Sequence, residues 1–149
     1  MIRFIMSSGK ERAADLYGAV ISAVLNFYPE TEAIYVFGSY PAGGADAGSD
    51  LDLAILLPTD TAKRNRDIAF SDCRFALEDA LSRNVDVINL RMVNTVFQCE
   101  IIGYGCLIYL KDQYVVDEFE MNVISAYQKL NEERADILKD ILQTGSIVG

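Results

Sequence analysis

Apolar side chains fall at helical spacing in residues 10–28, where Ala13, Leu16, Tyr17, Val20, Val24 and Phe27 share one stripe. Pro29 closes that helix, because proline disfavours helical geometry in the residue before it. The run AIYVF, residues 33–37, is β-branched and aromatic and predicts a short strand. DLDLAILL, residues 50–57, predicts a second strand that Pro58 stops. Residues 61–82 predict one amphipathic helix with Ile68, Cys73, Leu77 and Leu81 inward. VDVINL, residues 85–90, predicts a third strand, followed by a helix over about 93–104 that ends at glycines. LIYL, residues 107–110, is extended or opens a further element. A long final helix, about 112–141, lines up Val116, Phe119, Val123, Tyr127, Leu130, Ile137 and Ile141. Core packing and a protein interface both explain such a stripe. Strands separated by helices predict an α/β (α+β) domain with one small sheet. The 149 residues fit a single domain, 1–149, with a frayed tail over about 142–149.

Within the second strand, alternation divides the side chains. Asp50, Asp52, Ala54 and Leu56 point one way, while Leu51, Leu53, Ile55 and Leu57 form an apolar row on the other, the expected core face. Two aspartates therefore share a face at the start of a strand. At a separation of about 4 Å they repel by roughly 4 kcal/mol at an effective dielectric near 20. A shared proton or a bridging divalent cation removes that cost, and oxygen-only ligation suits Mg²⁺.

The loop before them adds the second half of a site. Strand 33–37 runs into Gly38 and Ser39, and Tyr40–Pro41 can open a short helix. Ser39 would cap it, leaving free N–H groups to receive phosphate. Gly-Ser after a strand also occurs in plain turns, and Asp-x-Asp alone is a weak motif. Their conjunction is what carries the reading. Asp86, set in an apolar strand, is either a charge on a solvated face or a third carboxylate. If its strand lies beside 50–57, Asp86 completes a second metal site and is the nearest general base for an incoming hydroxyl. Asp46 and Asp60 are turn residues with no assigned role.

Composition narrows the chemistry further. There is no histidine, which removes imidazole bases and His-ligated zinc. The net charge is −9, unsuited to binding nucleic acid through its phosphates. Cys73, Cys99 and Cys106 form no CxxC pair, which fits reduced thiols in a cytoplasmic protein. No apolar run approaches the length of a membrane span, about 18 residues.

GSYPAGGADAGSDLD resembles the GSx10DxD motif of the minimal nucleotidyltransferase (MNT) family, in the DNA polymerase β-like superfamily. Gly38 and Ser39 match the Gly-Ser, Asp50 and Asp52 the metal aspartates, and Asp86 the third carboxylate. The resemblance implies a small mixed sheet flanked by helices, with ATP as substrate and Mg²⁺, two ions, as cofactor. More narrowly, the chain is similar to the MNT antitoxins of type VII-like HEPN–MNT pairs, with SAYQKLNEERADIL similar to their terminal helix. That likeness implies transfer of AMP to a tyrosine hydroxyl on a HEPN RNase toxin, within a hetero-oligomer. Many relatives carry an arginine where Ala42 stands, and Lys63, Arg64 or Arg66 could substitute for it. Two other functions fit the same residues: an antitoxin that acts by binding alone, and a small-molecule nucleotidyltransferase of the antibiotic-modifying kind.

Overall fold

A computed structural model of the chain describes residues 10–38, 50–68 and 71–144. Helix α1 (Lys10–Phe27) leads into strand β1 (Ala33–Phe37), and β2 (Leu51–Leu56) pairs with it antiparallel. Two helices follow, α2 (Thr59–Arg64) and α3 (Asp72–Leu81), and then β3 (Val85–Asn89), which lies parallel to β2. A 3₁₀ turn, Leu90–Met92, precedes α4 (Thr95–Tyr104), β4 (Cys106–Leu110) and α5 (Gln113–Thr144). The sheet is mixed, ordered β3-β2-β1-β4, with β4 antiparallel to β1.

Alternation along β2 is as expected, but both of its faces are covered. Leu51, Leu53, Ile55 and Leu57 join Val20 and Val24 of α1 and Cys73 and Leu77 of α3 in one core. Ala54 and Leu56 belong to a second core with Ile101 and Ile102 of α4 and Val116, Phe119 and Val123 of α5. The apolar row is thus one of two core faces. By alternation Asp52 lies on the α4–α5 side, and it is half-buried there.

The single helix expected over 61–82 is two helices. Asn65 ends the first, its side-chain amide donating to the Thr61 carbonyl at 2.8 Å. The Asn89 amide, at the end of β3, donates to the carbonyls of Ala62 at 2.9 Å and Asn65 at 3.1 Å. Side chain and strand together hold the break, and Ser71 then starts α3 in extended geometry. Ile68, Cys73 and Leu77 are buried as expected, and Leu81 is half-buried against the same core. Of the α1 stripe, Val20 and Val24 are buried, whereas Phe27 is exposed.

In α5 only Val116, Phe119 and Val123 are buried. Tyr35 Oη donates to Glu120 at 2.7 Å, tying this first half to the sheet. Arg91 reaches from the 3₁₀ turn to Glu32 at 2.7 Å and lies over the Phe119 ring at 5.2 Å. Beyond Leu130 the helix projects, with Ile137 59% and Leu142 83% exposed. The helix also continues through residues 142–144, which the sequence assigns to the tail. Among the described residues no helix is long and apolar enough to cross a membrane.

Candidate active site

Three strands deliver the site as one row. Phe37 pairs with Asp52 across the antiparallel β1–β2 ladder, and Asp52 pairs with Asp86 across the parallel β2–β3 ladder. Paired neighbours project to the same face of a sheet, so Asp52 and Asp86 are side by side. Asp50 lies one residue before β2 and is exposed, as is Asp86, while Asp52 is half-buried.

The electrostatics register that crowding. The Asp52 carboxyl is held above the usual carboxylate range, first by burial, then by the negative charge of Asp86, a hydrogen bond with the Asp86 side chain and the charge of Asp50. A divalent cation would neutralise the same cluster.

The donor set fits Mg²⁺: hard carboxylate oxygens and no imidazole. Among the described residues no three acidic or thiol groups close around an ion unaided. Mg²⁺ sites commonly combine one or two carboxylates with phosphate and water.

Gly38 is required twice over. Its φ is +79°, a conformation that side chains disfavour, and a Cβ there would collide with Asp52 Oδ2. The glycine lets the end of β1 approach the carboxylate directly. Ser39, together with Ala42 and the loop to residue 49, lies outside the described residues.

Lys63, Arg64 and Arg66 are not brought to the carboxylates. Their segment sits at the far end of the strands, where Asn89 holds Ala62 and Asn65. Asp86 is three strand residues from Asn89, about 10 Å, and its ladder partner Asp52 is level with it.

Sequence reasoning missed a neighbour of this row. A cavity of about 250 Å³ is lined by Phe37, Gly38, Phe97, Glu100 and Tyr104, among others. The Phe37 and Phe97 rings meet edge to face, centroids 5.7 Å apart. Asn94 caps α4 by accepting from the Phe97 N–H at 2.8 Å, which fixes the turn that carries this ring. At the other end, a Cβ at Gly105 would press on the carbonyls of Ile101 and Val36, so glycine lets α4 turn tightly into β4. The caps are legible in the sequence. That α4 ends beside β1 is not.

Known proteins share this arrangement of chain. The protein adenylyltransferase MntA of Shewanella oneidensis is 33% identical over 124 residues, covering 83% of this chain and 85% of that protein. A crystal structure of a toxin–antitoxin with AMP-PNP superimposes with a TM-score of 0.65 at 28% identity, over 85% of this chain and 98% of that one. The MNT antitoxin complex with a tri-AMPylated Shewanella oneidensis HEPN toxin gives 0.62 at 26% identity, over 87% and 98%. Residues 20–114, which span every strand and the carboxylate row, match the family described as polymerase beta, nucleotidyltransferase. On that match the chain belongs to the polymerase beta nucleotidyltransferase family.

Proposed function

We propose that the chain is an Mg²⁺-dependent protein adenylyltransferase, the antitoxin of a HEPN–MNT pair, which transfers AMP from ATP to a tyrosine hydroxyl of its toxin. The carrying observation is the in-register pairing of Asp52 with Asp86, beside a left-handed glycine packed on the Asp52 carboxylate. Support comes from the likeness to MntA, named a protein adenylyltransferase, and to an antitoxin found with an AMPylated toxin.

In this reading Asp50 and Asp52 hold the ion that carries the nucleotide phosphates, and Asp86 holds a second. Gly38 and Ser39 form the start of the phosphate-binding loop. When bound, Mg²⁺ neutralises charge on the phosphate oxygens. Asp86 takes the phenol proton as the tyrosine oxygen bonds to the α-phosphorus. The bond from that phosphorus to the bridging oxygen breaks, and pyrophosphate leaves in line. A requirement for ATP, and three cysteines without disulfides, fit a cytoplasmic protein.

The projecting half of α5 favours binding as a second contribution to neutralisation. Ile137, Leu138 and Leu142 are exposed on a helix with no buried residue beyond Val123. The test for the chemistry is transfer of label from ATP to the toxin in the presence of Mg²⁺, which Asp50→Asn/Asp52→Asn should abolish. If that double variant neutralises the toxin as well as wild type does, binding is the mechanism and catalysis is not.

A further inference from the structure

Strand β3 carries the third carboxylate at the edge of the sheet, five residues long and paired with β2 alone among the described residues. Parallel pairing is slightly less stable per residue than antiparallel pairing. Side chains alternate along a strand, so a slip of one residue would turn Asp86 to the opposite face and set a valine level with Asp52. The phase of β3 therefore decides whether Asp86 serves the site at all. On the inner side it is fixed just before the strand, where the Asn84 carbonyl accepts from the Leu51 N–H at 3.0 Å.

Helix α3 fixes the other side. Arg74 Nε donates to the Val85 carbonyl at 3.0 Å, and the Val85 N–H donates to Glu78 Oε2 at 3.1 Å. Arg74 and Glu78 stand one helical turn apart, and a guanidinium nitrogen lies 3.9 Å from that same Glu78 oxygen. Together they present one donor and one acceptor to a single residue, as a further strand would. Covering an edge keeps other strands from pairing with it, a purpose that coverage anywhere along β3 would serve. This clamp instead grips the residue immediately before Asp86.

We propose that Arg74 and Glu78 are positioning residues for the transfer reaction, which clamp Val85 from α3 and so hold Asp86 level with Asp52. They act through Asp86 and not on the substrate. The assignment rests on the nucleotidyltransferase reading above, in which Asp86 holds the second ion.

Mn²⁺ shares the preference of Mg²⁺ for oxygen ligands and can be counted by electron paramagnetic resonance, in protein carrying a non-hydrolysable ATP analogue. Arg74→Ala should weaken the second Mn²⁺ about tenfold and leave the first unchanged. In labelling of the toxin it should lower kcat about tenfold, with KM for ATP within about twofold of wild type. Arg74→Lys, which keeps a donor and the charge, should recover most of both losses. In an Asp86→Asn background Arg74→Ala should have no further effect on Mn²⁺ binding, because its effect runs through that carboxylate. Should Arg74→Ala not fold, Glu78→Ala removes the other half of the clamp and should show the same losses. Wild-type affinity for the second ion and wild-type kcat in Arg74→Ala overturn the proposal. So does a loss of Mn²⁺ binding that adds to that of Asp86→Asn, since the pair would then support the domain at large. A wild-type protein that neither labels the toxin nor binds Mn²⁺ with the analogue would instead sink the nucleotidyltransferase reading.

Discussion

At Gly38 a left-handed backbone and contact with Asp52 coincide, so even a methyl group is a double insult. Gly38→Ala should destabilise the protein by roughly 1–3 kcal/mol in a urea melt. It should also reduce labelling of the toxin to background, since Asp52 must move aside. Near-normal transfer by that variant would contradict the site. Asp52 itself carries the opposite signature. Its carboxylate is disfavoured by burial and by two like charges, so Asp52→Asn should raise the thermal midpoint in chelator while removing any response to Mg²⁺. The carboxylates are legible in sequence because alternation and an apolar setting mark them. Glu100 and Tyr104 carry no such mark. An acid and a tyrosine late in a helix look like solvated surface until β1 is seen to run beneath them.

Elements are read from local periodicity, and they fail where tertiary contacts decide. Nothing in residues 61–82 announces that Asn89, distant in sequence, will hold the carbonyls at the end of α2. Asn89→Ala removes both bonds and should cost about 1–3 kcal/mol, measured by denaturant midpoint. The final helix shows the converse problem. Its stripe is continuous in sequence, yet its 32 residues span about 48 Å, and only the first third finds a core to bury in. Ile137→Glu with Leu142→Glu should therefore leave the thermal midpoint nearly unchanged while weakening the toxin complex at least tenfold by titration calorimetry. A large loss of stability would show that this half of the helix supports the domain after all.

For the whole molecule, the sheet is the organising object, with α1 and α3 on one side and α4 and α5 on the other. The pattern of strands and helices made that class legible, but pairing order is a global choice that no single segment encodes. Leu53→Ala, at the centre of the first core, should cost about 2–5 kcal/mol. The parallel pairing of β2 with β3 has a consequence for how the protein comes to be active. β1 and β2 are separated by residues 38–50, fewer than those of the 57–84 crossover, and can pair first, bringing together only Asp50, Asp52 and Gly38. Asp86 arrives after residues 57–84 have crossed over and docked, a closure whose entropy must be met before its contacts repay it. Half-folded chains emerging from the ribosome would then lack the third carboxylate, and competence to modify a toxin would come only with the finished sheet.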